Sequence, residues 1–386
     1  MTSRRKFLAS AGQAVLSAPF FNLQAFPLFA QSATSYSRRC IELMHRSLVI
    51  DMLSQFKLGA FPDVVPDPNR PTARWWSHPE TFTPAEQERY RQSGINVFQI
   101  GWGTGREDAF NGAVKVIEAW RGFVEHFSHD FMLVLKAADF AALKQLGKIG
   151  ILLGFQGSDH FRALEDIAFF YAQGQRVSQL TYNLCNAIGC GYEAPDTGLT
   201  KFGSDVIAKM NETGMAIDVS HCGPRTTLDA IHASRQPVLI THANCKALDP
   251  HSRNKSDEVI RRMAAGGGVM GITGVRMLVR NREPVTLEDV LDHFDHVVKL
   301  VGVEHVGVGS DIDLDGYDKL PPSLRAKMLT GYKETAPVRG DIDGLNHPQR
   351  MFDLTEGLIR RGYSDRDIEL MLGGNFRRAL AEIWQS

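Results

Sequence analysis

The sequence predicts an α/β fold, a (β/α)8 barrel of the TIM type. Three observations lead to this prediction: eight short apolar segments rich in β-branched residues, helix-like segments between them, and a polar residue or glycine near the end of each apolar segment. Buried strands that alternate with helices form a parallel sheet. Eight such units between residues 48 and 311 fit a closed barrel better than an open, doubly wound sheet, which is the alternative.

The predicted strands follow the chain in order and are short. Apolar runs of this length, bounded by turn residues, are typical of strands buried on both faces. They are residues 48–51, 95–99, 150–156, 177–183, 215–221, 237–242, 268–273 and 305–311.

Helix-like segments connect these strands at residues 161–173, 202–213, 224–234 and 287–301. Thr286 is expected to cap the last of them. Two acidic residues follow in its first turn, where the helix dipole favours negative charge.

Each predicted strand is apolar along its length and polar at its carboxyl end. In a barrel these ends surround one mouth, which is where active sites of this fold lie. We therefore expect a shared site there. The polar end residues are Asp51, Gln99, Gln156, Tyr182, His221, His242, Thr273 and Asp311.

Four residues near this mouth are candidates for metal binding, catalysis or substrate binding. His221 and His242 end neighbouring predicted strands and could bind one metal ion through imidazole nitrogens, or they could be hydrogen-bonded structural histidines. Asp311 could be a metal ligand, a general acid or base, or an orienting group. Arg253, in the loop after the sixth strand, could hold a substrate carboxylate or form a surface salt bridge. Metal-assisted hydrolysis is the reaction class that suits this set.

The amino terminus predicts export. Arg4 and Arg5 precede Phe7-Leu8 and a modest apolar run through Ala30, which is the pattern of a twin-arginine signal. We expect residues 1–32 to be the signal peptide and residues 33–386 the barrel, soluble in the periplasm or outside the cell after passage through the twin-arginine machinery. No later apolar run is long enough to anchor the chain in a bilayer. The formal net charge of −1 does not favour nucleic acid as a partner.

The five cysteines show no CxxC pairing. Cys185 and Cys190 could form a disulfide, but the expectation is a set of scattered, buried thiols. An odd number leaves at least one thiol without a partner in the chain.

Roughly residues 45 to 384 resemble the membrane (renal) dipeptidase family of metallopeptidases. The most specific segments are residues 212–221, 237–242, 251–254, 307–311, 361–364 and 372–376. The resemblance implies a barrel of the metal-dependent hydrolase type, a dipeptide substrate, zinc as the cofactor, and metal ligation by His221 and His242. It also implies that Arg253 binds the substrate carboxylate and that Asp311 is catalytic. Members of the family often dimerise, so a homodimer is an expectation.

The first half of the chain departs from the family pattern. Leu53 and Gln55 stand where the family has a metal-binding histidine and aspartate, and Gln156 stands where it has a glutamate that bridges two metals. Without these ligands we expect at most one zinc ion, on His221 and His242.

A third ligand could come from Asp311, Asp159 or His160. Asp159 is otherwise expected to cap the helix that begins near Phe161. Tyr182 replaces a family histidine and could donate a hydrogen bond to the oxyanion, while also contacting substrate.

The predicted function is an exported hydrolase of dipeptides or related small amides. Two alternatives remain: a barrel enzyme with metal-free acid–base chemistry on a small carboxylate-bearing molecule, and a binding protein that kept the pocket without turnover.

Overall fold

The strands of the protein form a closed, parallel barrel. A computed structural model describes residues 36–56, 79–103, 107–320, 322 and 340–384. The strands of these residues are β1 (Ile50–Ser54), β2 (Val97–Trp102), β3 (Phe131–Leu133), β4 (Ile149–Phe155), β5 (Gln175–Gln179), β6 (Ala216–Asp218), β7 (Ile240–Ala243), β8 (Met270–Ile272) and β9 (Val306–Val308).

Neighbouring strands pair in parallel in the order β1-β2-β4-β5-β6 and in the order β7-β8-β9, while β3 pairs with the first residues of β4. Backbone hydrogen bonds from Val219 N to Leu239 O (2.9 Å) and from Asp311 N to Leu53 O (2.8 Å) join the two groups of strands at both edges. The eight predicted strands are therefore all present and close into the predicted barrel.

The strands differ from the prediction in two respects. The strands predicted at residues 177–183 and 215–221 end at Gln179 and Asp218, so Tyr182 and His221 lie in the loops that follow. β3 was not predicted, because three residues give no readable periodicity.

Helices cover the outside of the strands. Those of the described residues are α1 (Arg38–Arg46), α2 (Pro84–Gln92), α3 (Ala109–His126), α4 (Ala137–Leu146), α5 (Leu164–Gln173), α6 (Lys201–Thr213), α7 (Pro224–Ala233), α8 (Asp257–Ala265), α9 (Arg276–Val279), α10 (Leu287–Val301), α11 (Arg350–Arg360), α12 (Asp365–Glu369) and α13 (Asn375–Ile383). The helices predicted from sequence are confirmed to within a few residues.

The helix caps confirm one prediction and correct another. Thr286 and Asp289 form a capping box at the start of α10, as the sequence indicates. The helix predicted to begin near Phe161 begins at Leu164 instead, and Asp159 does not cap it. The carboxylate of Asp166 accepts the backbone N–H groups at its start, because a loop separates β4 from the first helical turn.

A buried ion pair joins the strand β1 to the helix α11. Arg350 Nη2 lies 3.0 Å from Asp51 Oδ2, and both side chains are almost completely buried. Ser310 N and Ser310 Oγ donate to the same carboxylate at 2.7 and 2.5 Å. A buried charge pair is tolerated only when further hydrogen bonds satisfy it, and this one meets that condition. The cluster fixes the segment that carries Asp311.

The structure corrects the expectation for the cysteines. Cys185 and Cys190 form a disulfide, whereas Cys40, Cys222 and Cys245 are buried free thiols. The pairing follows from the local turn, in which Asn186 N donates to Gly189 O at 2.9 Å and brings the two cysteines together.

The predicted signal peptide, residues 1–32, lies outside the described residues. Among the helices that are described, none has the length and apolar character needed to cross a membrane.

Candidate functional site

Two histidines face each other at the carboxyl end of the barrel. His242 lies in β7, and His221 lies in the turn after β6. Their Nε2 atoms are 3.0 Å apart, and both imidazoles are buried. The structure thus brings together the two metal ligands predicted from sequence.

The neighbours of His242 fix its tautomer. The hydroxyls of Thr241 and Ser220 both donate to the Asp218 carboxylate, at 2.7 and 2.5 Å. Thr241 Oγ1 has then used its hydrogen, so it accepts from His242 Nδ1 at 2.8 Å. His242 Nε2 is left with a lone pair that points at His221.

The side-chain amide of Asn183 fixes the tautomer of His221. Asn183 Nδ2 donates to Glu193 Oε1 at 2.8 Å, which orients the amide so that Asn183 Oδ1 faces His221 Nδ1 at 2.7 Å. An amide oxygen only accepts, so His221 carries its hydrogen on Nδ1. Each Nε2 therefore carries a lone pair, and the two nitrogens lie 3.0 Å apart.

Two nitrogen lone pairs at this separation repel each other unless a cation binds to both. Two imidazoles on one tetrahedral zinc ion, bound at about 2.0–2.1 Å, place their nitrogens roughly 3.4 Å apart, close to the separation observed. Burial lowers the pKa of both His221 and His242 well below the usual value, and the charge of Arg253 lowers it further. Neutral imidazole with its other nitrogen hydrogen-bonded is the form that ligates metals. The pair could supply two of the three protein ligands that a catalytic zinc ion usually has.

The structure places two of the candidate third ligands elsewhere. Asp159 Oδ2 lies 3.4 Å from Asn186 Nδ2. His160 packs among three phenylalanine rings with Nε2 3.1 Å from Gln175 Oε1, and burial lowers its pKa to about 4. In the described part of the chain, no three His, Cys, Asp or Glu side chains are grouped so that they could hold a metal ion.

Asp311, the remaining candidate, is held in an unusual conformation at the mouth. Its φ of 53° lies in the left-handed region, and its backbone N–H and C=O are bound by Leu53 O and the Tyr317 hydroxyl. Non-glycine residues in this region carry strain that is often found at functional sites. Gln55 Nε2 donates to Asp311 Oδ1 at 2.6 Å. Desolvation nevertheless raises the pKa of Asp311 to about 7, which suits a general acid or base near neutral pH.

The replaced ligand positions lie side by side. A Cβ atom built on Gly101 would fall 2.2 Å from Leu53 Cδ1 and 2.9 Å from Gln156 Cγ, so these two side chains meet over that glycine. Gln156 Nε2 donates to Gly101 O at 3.3 Å. A leucine and a neutral amide at these positions supply no anionic ligand for a second metal ion.

Arg253 has partners other than those predicted. Its side chain is buried, with 2% of the residue exposed, and Nη1 and Nη2 donate to the backbone carbonyls of Ser220 and His242. Arg253 thus ties together the two histidine-bearing segments. Its positive charge also opposes the rise that burial causes in the pKa of Asp311 and of Tyr182.

Tyr182 forms the exposed wall of the site. Its ring stacks on the His221 imidazole with centroids 4.3 Å apart, and 49% of the residue remains exposed. It is therefore accessible at the mouth of the barrel.

Sequence reasoning missed the residues that support the histidines. Asn183 and Glu193 lie in a long loop with no recognisable motif, and nothing marks them in the sequence. Asp218 and Thr241 could have been found, because they lie three residues before His221 and directly before His242. Lys255 was also missed.

Comparison with known proteins identifies the family. A family model described as membrane dipeptidase, peptidase family M19, matches residues 69–329. An uncharacterised dipeptidase of Schizosaccharomyces pombe is 34% identical over 249 residues, covering 60% of this chain and 59% of that protein. A dipeptidase of Clonostachys rogersoniana is 28% identical over 280 residues, covering 72% of this chain and 66% of that protein. The chain thus spans less than two thirds of the length of these two curated relatives.

Among solved structures, an amidohydrolase from Pseudomonas aeruginosa matches with a TM-score of 0.76 at 26% identity, covering 90% of this chain and 99% of that one. The barrel agrees with the family match, which spans more than half of the sequence. The chain belongs to the membrane dipeptidase family, peptidase family M19.

Proposed function

We propose that this protein hydrolyses dipeptides or related small amides with at most one divalent metal ion, zinc, held by His221 and His242. The observation that carries the proposal is the 3.0 Å separation of two Nε2 atoms whose hydrogens are fixed on the opposite ring nitrogens. The dipeptidase names of the relatives supply the substrate class.

When bound, the ion supplies Lewis-acid chemistry to the scissile carbonyl. Asp311 acts as the general base, because its carboxyl titrates near neutral pH and Gln55 orients it through one oxygen. Tyr182 is half exposed beside His221 and offers its hydroxyl to the oxyanion of the substrate. Arg253 holds the two histidine-bearing segments together, because its buried guanidinium donates to the carbonyls of Ser220 and His242.

A metal assay combined with a dipeptide panel tests the proposal. Bound zinc together with turnover that a chelator abolishes supports it. Turnover that a chelator leaves unchanged supports metal-free acid–base chemistry instead. Binding of dipeptides without turnover identifies a binding protein.

The twin-arginine signal at Arg4 and Arg5 supports a proposal that the protein acts in the periplasm or outside the cell. The Cys185–Cys190 disulfide is in keeping with an oxidising compartment. Replacing both arginines with lysine should abolish export, because the route recognises the paired guanidinium groups. Fractionation that still finds the double variant in the periplasm would contradict this. The proposed homodimer is tested by sedimentation of the mature protein.

A further inference from the structure

The turn that presents His221 is held by bonds to its backbone carbonyls. The four carbonyls of residues 219–222 all accept hydrogen bonds from outside the turn. Arg253 Nη1 donates to the carbonyl of Ser220, and Tyr192 N donates to that of His221 at 2.9 Å. Lys255 Nζ donates to the other two, Val219 O at 2.8 Å and Cys222 O at 2.9 Å. One ammonium group therefore grips the turn on both sides of His221.

The backbone of Lys255 belongs to the other histidine segment. Lys255 N donates to Asn244 O at 2.8 Å, and Lys246 N donates to Lys255 O at 2.9 Å. Asn244 follows His242 by two residues. The lysine side chain thus spans from the segment after one imidazole to the turn that carries the other.

Burying the ammonium group of Lys255 costs free energy, and only its hydrogen bonds can offset that cost. Lys255 is 4% exposed and makes no ion pair with any residue that the structure describes; its nearest partners are neutral carbonyls and the Thr227 hydroxyl at 3.5 Å. Desolvation, followed by the charge of Arg253, lowers its pKa to about 7. A buried cation also disfavours a metal ion nearby through Coulomb repulsion. An apolar residue would avoid both penalties, but it could not bind the carbonyls.

We propose that Lys255 is a positioning residue of the metal site: its amino group ties the His221 turn to the segment after His242 and thereby holds the two imidazoles at the separation that one metal ion requires. This inference rests on the proposed metal site but concerns a residue that does not touch the ion. Its hydrogen bonds persist whether the amine is charged or neutral, because either form donates to the carbonyls.

A pair of lysine variants tests the proposal. Lys255→Met removes both bonds to the turn. Lys144→Met is the matched control, because Lys144 Nζ likewise donates to two backbone carbonyls, His45 O at 2.8 Å and Ser47 O at 2.7 Å, and its pKa is also lowered by burial. The readout is the zinc dissociation constant of the full mature protein, measured by competition with a chelator.

The direction in which zinc affinity changes shows whether Lys255 acts by positioning the ligands or only by its charge. Removing a cation should by itself tighten zinc binding. We expect the opposite for Lys255→Met, a loss of roughly 10- to 100-fold, which is typical when a residue that orients metal ligands is removed. Lys144→Met should bind zinc as the wild type does. Unchanged or tighter binding by Lys255→Met overturns the proposal.

Hydrogen exchange of the metal-free proteins provides a readout that does not depend on zinc. Lys255→Met should exchange faster in peptides covering residues 216–223, while Lys144→Met should exchange faster only near residues 43–49. If the wild type binds no zinc, the proposed metal site fails, and this exchange pattern then shows only that Lys255 holds the His221 turn to the segment after His242. If Lys255→Met does not fold, Lys255→Gln, which keeps a shorter donor, takes its place under the same two criteria. Wild-type exchange of residues 216–223 in the folded variant overturns the positioning role.

Discussion

His221 Nε2 and His242 Nε2 lie 3.0 Å apart, and each ring carries its hydrogen on the far nitrogen, bound to Asn183 and Thr241. We therefore expect the mature protein to retain at most one zinc ion per chain, and never two, after zinc incubation and desalting. Elemental analysis measures this directly. His221→Ala and His242→Ala should each remove the ion, since one imidazole alone is a weak site.

His305→Ala is the control for the histidine variants, because His305 Nδ1 contacts Gly268 O, away from the pair. It should bind zinc normally. Two tightly held zinc ions in the wild type would show that the alignment of the first and third strands is wrong, or that Asp159 and His160 replace the missing ligands.

If Leu53, Gln55 and Gln156 are the reason that a second zinc ion does not bind, restoring metal ligands at these positions should create a second zinc site. The triple variant Leu53→His, Gln55→Asp, Gln156→Glu supplies an imidazole and two carboxylates to one region of the mouth. We expect its zinc content to rise towards two per chain. Gln156→Glu alone should not suffice, because one carboxylate cannot replace three ligands. A triple variant that folds and still holds at most one zinc would indicate that the ligand alignment is incorrect.

The barrel could be predicted because its strands are buried on both faces and read as apolar runs. The ends of the strands were harder to predict. Tyr182 and His221 follow directly on apolar segments, but the strands end before them, at Gln179 and Asp218. The histidine pair could be predicted because two neighbouring strand ends must meet at the barrel mouth.

The supporting contacts could not be predicted, because they depend on how loops fold. Asn183 reaches His221 across 38 residues of sequence, and Lys255 reaches Val219 across 36. No periodicity encodes such pairs. The disulfide depends in the same way on a turn between Cys185 and Cys190 that spacing alone does not reveal.

Arg253 offers a test between two roles. If it grips a substrate carboxylate directly, Arg253→Met should weaken dipeptide binding by about 2–4 kcal/mol and leave amidated dipeptides nearly unaffected. Because its guanidinium is buried and bound to Ser220 O and His242 O, we expect instead that both substrates lose activity and that zinc affinity falls. Kinetics on a matched pair of free and amidated dipeptides measure this. A selective loss on the free dipeptide, with zinc affinity intact, would establish the direct clamp.

Lys255 should give the folding stability a characteristic pH dependence. Its pKa is about 7 in the folded protein, whereas an unfolded lysine titrates near 10.4. Between these values the unfolded chain binds a proton that the folded chain does not, so the lysine's contribution to stability rises with pH, at most by about 1.4 kcal/mol per pH unit. This contribution is fully present above the pKa of lysine in the unfolded chain, and it is lost as the pH falls through 7. The unfolding free energy of wild type relative to Lys255→Met, from urea titrations, should therefore increase between pH 7 and pH 9. Lys201→Met, which removes an exposed lysine, should show no such trend. A pH-independent difference for Lys255→Met would mean that the buried amine keeps an ordinary pKa.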